Sequence, residues 1–419
     1  MKHIVLMMRN YYPYYSAVGV CLKNVAENLS PGNKITIICE KTDLDDADKE
    51  IYNGQNIIRI ISKSTKYRKR LLKLKGSSNL FVKYFGSLLN ISYRTMEYLK
   101  FILSKYSIQR ELIDDYYKAL ESINDPIDII VPSCMPFETI LAATMFREKN
   151  KQIEVIPFLF DKFAENGTLH RSRLNKRVKM KYNLYLEEKA FEKSQRILFT
   201  PSWEEHLKKN FPLMDYKFKP VEHPLLKKIE YNELDTIDKN EMSVVYTGTV
   251  LKNSRNPEPT LKIIEKIIPI CPELKVHFFA MGNATEIIKD FEKKNKNNIT
   301  FHGQVKTEIA HSAILNSKIL LSIGNTDITQ TPSKIFEYIS SCKPIIHIAV
   351  YDTDPVLDIL KSYPLACCVC LETDSFEMQV EKVKNFITQK NFNEVLFQDL
   401  EKIYFNAIPK FSADLIVNK

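Results

Sequence analysis

Short apolar runs of four to seven residues recur along the chain, each set apart by a longer stretch of helical character. In the first half they fall at 4–8, 34–39, 57–61, 127–131, 154–160 and 197–200, with a loop over 11–19 and a helix expected over 20–29. After Glu222-His223-Pro224 the pattern restarts, at 243–247, 275–280, 299–302, 318–323 and 344–349. Continuous apolar runs suit parallel strands buried on both faces. Their alternation with helices implies βαβ units wound into a sheet covered on both sides. The expected fold is therefore α/β, with two successive doubly wound, Rossmann-like domains, 1–222 and 223–399. A terminal helical segment, 400–419, is expected to pack back on the first domain. The length of 419 residues agrees with two or three domains at roughly 150 residues each.

Composition narrows the function. At 44% hydrophobic and 26% charged, the chain is globular material and not a disordered or fibrous one. No stretch reaches the ~18 consecutive apolar residues of a membrane span, and the apolar start meets Arg9 too soon for a secretion signal. A cytoplasmic protein is expected, peripheral to the inner face of the cell membrane if its basic surfaces meet lipid. The formal net charge of +9 is compatible with an anionic ligand or membrane, and no nucleic-acid motif accompanies it. The cysteines are scattered, apart from Cys367, Cys368 and Cys370, which lack a second pair or histidines at zinc-ligand spacing. They read as free thiols in a reducing compartment, and no metal or other cofactor is expected.

Two basic stretches lie in the first half. Lys63, Lys66, Arg68, Lys69, Arg70, Lys73 and Lys75 run without an acid, followed by Phe81, Tyr84 and Phe85. Arg171, Arg173, Lys176, Arg177, Lys179 and Lys181 form the second. A solvated helix face and a surface for anionic lipid headgroups are the two readings.

The second half carries most of the chemistry. Four of the ten glycines, Gly248, Gly282, Gly303 and Gly324, follow strands directly or within two residues, where tight turns let backbone approach a ligand at the carboxyl edge of a sheet. In the segment 331–344, Thr331 is placed to cap a helix opening at Pro332 and Ser333. Ile335, Phe336 and Ile339 form its buried stripe. Its amino end and Lys334 would favour an anion, and Glu337 would accept hydrogen bonds from a vicinal diol such as a ribose. Tyr246-Thr247-Gly248-Thr249 ends an earlier strand, and Arg255 offers a fork of donors to a diphosphate.

These motifs resemble the GT-B glycosyltransferases of the large retaining group called family 4, in the bacterial capsular, exopolysaccharide and lipopolysaccharide branch. The resemblance is carried by Tyr246-Thr247-Gly248, Arg255-Asn256-Pro257, Met281-Gly282-Asn283, Phe301-His302-Gly303-Gln304-Val305 and Pro332-Ser333-Lys334-Ile335-Phe336-Glu337-Tyr338. In the first half it rests on Tyr12-Pro13 through Gly19, on Asp161, and on Thr200-Pro201-Ser202. It implies two Rossmann-like domains facing across a cleft, with a UDP- or GDP-sugar on the second. Glu337 would hold the ribose, Arg255 the diphosphate, and Gly303, Gln304 and Val305 would lie against the base. Gly19 would let backbone approach the donor phosphates. Asp161 would serve the acceptor, a glycan or polyprenyl-diphosphate-linked glycan on the first domain. The resemblance implies retention without metal, with Arg255 and Lys334 neutralising the leaving diphosphate.

The chain departs from the family pattern at four positions. Thr329 stands where many relatives have a second glutamate, Thr260 where they have a lysine, Phe160 where a histidine often precedes the acid, and Cys342 where a glycine usually ends the helix. The departures at Thr329 and Phe160 keep open a second reading, a catalytically silent partner in a glycan-assembly complex. A dinucleotide-dependent dehydrogenase fits poorly, because no Gly-x-Gly-x-x-Gly follows the first strand. The histidines considered (His3, His170, His206, His223, His302, His311 and His347) read as structural or exposed, with His223 also a candidate for the cleft.

Overall fold

The computed structural model describes residues 1–166, 170, 172–229, 236–328, 332–389 and 391–418. Two compact units emerge, Met1–Pro224 with Pro409–Lys419, and Leu225–Ile408.

In the first unit, β1 (His3–Met7), β2 (Lys34–Glu40), β3 (Lys49–Tyr52), β4 (Gln55–Ile60), β5 (Ile129–Pro132) and β6 (Glu154–Val155) form one sheet in the order β3-β4-β2-β1-β5-β6. A second sheet, β7-β8-β9, comprises β7 (Phe158–Leu159), β8 (Ile197–Phe199) and β9 (Phe218–Pro220). The apolar run 154–160 thus feeds two sheets. It breaks at Pro157, which has no N–H to give a ladder. The helices are α1 (Ala17–Leu29), α2 (Lys63–Lys75), α3 (Leu80–Leu103), α4 (Arg110–Glu121), α5 (Glu138–Lys149), α6 (Arg173–Glu192) and α7 (Glu204–Asn210).

Three local departures from the sequence reading have physical causes. First, α1 begins at Ala17, because the Ser16 hydroxyl accepts the Gly19 N–H at 3.1 Å and caps the helix. Gly19 is therefore a first-turn residue and not part of the preceding loop. A Cβ there would come 2.3 Å from the Asn10 carbonyl oxygen. Second, β3 pairs antiparallel with β4 through Asn53 (φ 51°) and Gly54 (φ 75°). An Asn-Gly pair of this kind is a hairpin signal that the reading passed over. Third, Lys179 in the second basic stretch is buried, its ammonium bonded to the Phe101 carbonyl. Arg171 lies outside the described residues.

The second unit has β10 (Ser243–Thr249), β11 (Lys275–Met281), β12 (Ile299–Phe301), β13 (Ile319–Ile323), β14 (Ile345–Ala349) and β15 (Ala366–Cys370), all parallel, in the order β12-β11-β10-β13-β14-β15. Its helices are α8 (Glu258–Ile267), α9 (Thr285–Lys294), α10 (Thr307–Asn316), α11 (Lys334–Ser340), α12 (Pro355–Leu360), α13 (Phe376–Ile387) and α14 (Phe397–Ile403). Two cores sandwich the sheet. Leu261, Ile264, Ile288 and Val383 pack on one face with Val244 and Val276. Phe336, Ile339, Val356 and Leu400 pack on the other with Val245 and Leu320. Finally α15 (Pro409–Val417) packs on α1, so the returning segment begins at Pro409, while α14 stays in the second unit with Leu400 in its core.

The strand β15 holds Cys367, Cys368 and Cys370, and all eight cysteines are free. Among the described residues no group of three metal-binding side chains converges.

Candidate functional site

Counting within the second unit, the strand order is that of a doubly wound sheet whose direction of growth reverses between β10 and β13. The helix after β10, α8, covers one face and α11, after β13, covers the other. Between such strands the connecting loops separate, and a crevice opens at their carboxyl ends. Thr247, Gly248 and Thr249 end β10 at this point, and Gly324 follows β13.

The edge is tied together locally. The Tyr338 hydroxyl on α11 takes the Thr247 backbone N–H at 2.8 Å, which pins the helix to the end of β10. The Tyr246 hydroxyl donates to the Thr249 carbonyl at 2.9 Å. Its burial pushes the phenol up to about 12, against the pull of the nearby Arg255 charge. The following loop closes on itself, Leu251 and Arg255 exchanging backbone hydrogen bonds at 2.9 and 3.0 Å, and the Thr326 N–H joins it at Ser254. Gly248 sits at φ 151° and Gly282 at φ 122°. A Cβ on Gly282 would stand 2.1 Å from the Val250 carbonyl oxygen, so only glycine lets the β11 loop pass the β10 loop.

Arg255 is half-buried, and its Nε is a buried donor with no acceptor among the described residues. At the start of α11, Lys334 and Glu337 form an ion pair with Nζ 2.9 Å from Oε2. His311 of α10 approaches the other oxygen, Nε2 to Oε1 at 2.8 Å. Burial works to raise the Glu337 carboxyl, but Lys334 and His311 together outweigh it and hold the group at about 2. The side chain keeps 21% of its exposure, so it remains an ionised acceptor that a ligand can reach. The sequence pattern gives His311 no role beyond a structural or exposed one. No spacing motif reveals it, because its contact with Glu337 crosses two helices.

Not every expected residue is where the sequence placed it. The helix at 331–344 opens at Lys334, two residues later than Pro332, and Ser333 at its boundary makes no side-chain cap. Thr331 and Thr329 lie outside the described residues. Seven residues make α11 short, so its dipole is a weak source of positive charge and Arg255 and Lys334 are the stronger ones. Thr260, the position of the usual lysine, faces the apolar interior of α8. Cys342 takes a left-handed conformation at φ 57°, one that glycine adopts without strain.

Gly303 (φ 74°), Gln304 and Val305 form the loop after β12, with Gln304 exposed. Beneath it lies a histidine pair. His277 Nδ1 is 3.0 Å from His302 Nε2, and Glu241 holds the other His277 nitrogen at 2.8 Å. His302 stacks on Phe279 at 4.1 Å, and burial with the neighbouring imidazole lowers it to about 4. The side chain is therefore neutral at physiological pH.

In the first unit, Asp161 follows β7 and its carbonyl accepts the Cys134 thiol at 3.2 Å. Burial, then the Asp161 charge, push the Cys134 and Cys21 thiols up. Glu165, on the same loop, is engaged with His206 Nδ1 (3.2 Å) and Lys162 (3.1 Å). His206 Nε2 meets the buried Glu187 at 2.7 Å, and Glu187 also accepts the Ala164 N–H. This network anchors the loop that carries Asp161. Phe160 is buried and stacked on Phe158 at 4.3 Å, with the His223 ring 5.9 Å away. Gly19 and Asp161 belong to this unit, and the remaining expected donor residues to the other.

No protein-family model and no curated protein sequence matches the chain. Solved structures do. The α,α-trehalose-phosphate synthase (UDP-forming) of Burkholderia xenovorans, solved with glucose-6-phosphate, superposes with a TM-score of 0.61 at 8% identity, over 99% of this chain and 98% of that one. Sucrose-phosphate synthase from Thermosynechococcus elongatus gives 0.58 at 10% identity, over 100% and 95%. UDP-GlcNAc 2-epimerase from Methanocaldococcus jannaschii gives 0.58 at 14%, over the full length of both. At such identities the likeness establishes architecture and not activity. The architecture is α/β with two Rossmann-like domains, the GT-B fold.

Proposed function

We propose that the protein is a glycosyltransferase that moves a hexosyl or N-acetylhexosaminyl group from a UDP- or GDP-sugar to a glycan or lipid-linked glycan, in the synthesis of a surface polysaccharide. The observation that carries the proposal is the ionised Glu337, held between Lys334 and His311 beside the reversal point of the second sheet. A carboxylate there can accept both hydroxyls of a ribose. Arg255, with a buried Nε lacking an acceptor, fits a diphosphate on the same edge. The similar proteins named for UDP chemistry support a nucleotide-sugar donor.

In this reading the bond from the anomeric carbon to the diphosphate oxygen breaks while the acceptor oxygen bonds to the same face. The acceptor proton passes to the departing phosphate, so the configuration is retained. Arg255 and Lys334 stabilise the charge that grows on the leaving group, the task a divalent ion performs in other transferases. Asp161 orients an acceptor hydroxyl. A second reading, a silent partner subunit, is favoured by Phe160, a stacked hydrocarbon ring at a position where a histidine would act.

Thermal-shift titration with UDP, GDP, CMP, ADP and NAD tests both. One nucleoside diphosphate at about a hundred times its Kd is expected to add roughly 2.7 kcal/mol to wild-type stability. Glu337→Ala and Arg255→Ala are expected to lose that gain. Turnover of the matching sugar nucleotide, persisting in a metal chelator, supports the transferase. Binding without turnover supports the silent partner, and no binding by any of the nucleotides removes the transferase and leaves the silent partner as the leading reading.

A further inference from the structure

The charge of the chain is unevenly placed. Residues 63–103, which make up α2 and α3, hold ten lysines and arginines against the single acid Glu97. The other 378 residues contain fifty basic and fifty acidic side chains, so the entire formal excess of +9 belongs to this helical hairpin.

The same hairpin exposes apolar surface. At the crossing of α2 and α3 stands Gly86, where a Cβ would lie 2.8 Å from Leu74 Cβ. Tyr93 packs edge-on against Tyr67 at 5.0 Å and donates to the Ser64 carbonyl. These contacts fix one side of α3 against α2. On its opposite side Phe81, Tyr84, Phe85, Leu88, Ile91 and Leu99 fall at helical spacing into one stripe, each between 52% and 79% exposed. The helix has 24 residues and is about 36 Å long. Beside the stripe, Arg68 and Arg94 line a cavity of about 740 Å³ together with Tyr93, Tyr98 and the ion pair of Lys100 with Glu97 (3.0 Å), which leaves the two arginines as its net positive charge.

Among the described residues no helix is long and apolar enough to cross a membrane. An apolar stripe flanked by cations on a helix that cannot span is the pattern of a segment lying in the bilayer interface. We infer that the α2–α3 hairpin docks on an anionic phospholipid bilayer. The α3 stripe enters the headgroup–acyl boundary, the α2 cations meet anionic headgroups, and the cavity receives a headgroup phosphate. Charge complementarity selects this occupant, because a face carrying the whole positive excess of the molecule would repel a second copy of itself. The inference does not depend on the proposed activity.

Sedimentation of the full chain with vesicles tests it, with no donor present. The protein is expected to pellet with mixed phosphatidylglycerol–phosphatidylcholine vesicles, to stay in solution with phosphatidylcholine alone, and to be released by salt. The combined change Phe81→Ser, Phe85→Ser and Leu88→Ser is expected to abolish pelleting at an unchanged Tm, since these side chains are exposed. Arg70→Glu with Lys75→Glu is expected to weaken binding by at least roughly tenfold. Failure to pellet with the anionic vesicles, equal pelleting with both, or full binding by the triple variant overturns the inference. So does a concentration-dependent dimer that the triple variant loses in the absence of any vesicle binding, which assigns the stripe to a second copy.

Discussion

The two units each bury a glutamate beside a histidine, and the two carboxyls move in opposite directions. Glu337 in the second unit is held at about 2, whereas burial pushes Glu187 in the first above its ordinary range. The difference lies in the company each keeps. Glu337 touches a lysine and a histidine and retains some solvent, so attraction exceeds the desolvation penalty. Glu187 is fully buried, has His206 as its one cationic partner among the described residues, and shares that histidine with a second carboxylate, Glu165. One arrangement keeps an ionised acceptor within reach of solvent. The other fastens a loop in place. The same residue types thus make a solvent-accessible acceptor in one setting and a structural tie in the other.

The largest expected effect tests the structural tie. Glu187→Ala would strand the His206 Nε2 and the Ala164 N–H in the interior, while Glu165 keeps the other ring nitrogen. Breaking a buried pair from one side is expected to cost about 3–5 kcal/mol, read as a lower urea midpoint. A loss under about 1 kcal/mol would mean that water reaches the pair and that the contrast with Glu337 is false. Turnover by the folded fraction is expected to fall while the nucleotide-induced thermal shift stays, because the loop that carries Asp161 loses its anchor and the Glu337 site does not.

Glu337 is tested through pH. Its folded value lies below the ordinary 4.5, so its contribution is fully present above pH 4.5 and is lost as pH falls from there towards 2. The contribution is at most on the order of 3 kcal/mol and is smaller to the extent that the 21% exposure screens the pair. Glu337→Gln is expected to be less stable than the parent at neutral pH, with the gap closing below pH 4.5. A gap that stays constant down to pH 2 would show that the carboxyl is not depressed and that the lysine and histidine do not act on it.

Legibility in the sequence followed the range of the interactions. Five of the six strands of the second unit, β10 to β14, were readable because each is a short apolar run flanked by helical sequence. The candidate residues Arg255, Lys334 and Glu337 could be nominated because motif spacing singles them out. The run at 154–160 misled because one proline divides it between two sheets, although Pro157 was in plain view. The cysteine-rich β15 was missed because polarity was read for chemistry and not for burial. His311, Glu187 and the His277–His302 pair were out of reach, since each depends on contacts between distant segments that no local periodicity encodes. The charge excess of 63–103 was half visible. Its basic run stood out, but only the packing of α2 on Gly86 shows that the aromatic residues after it turn outward.

The smallest expected effect bears on how firmly Glu337 is placed. Cys342 ends the stretch that begins with α11 and holds φ 57°, a left-handed conformation that is strained for a residue with a Cβ by about 1–2 kcal/mol. Glycine removes that strain but adds freedom to the unfolded chain, so Cys342→Gly is expected to stabilise the protein by no more than about 1 kcal/mol. Glu337 lies five residues earlier and is held by Lys334 and His311, while Tyr338 is pinned to Thr247. Relaxing the helix end should therefore leave the nucleotide-induced thermal shift unchanged. If the shift moves along with the stability, strain at Cys342 helps to set the position of the carboxylate, and the ion pairs alone do not define the binding element.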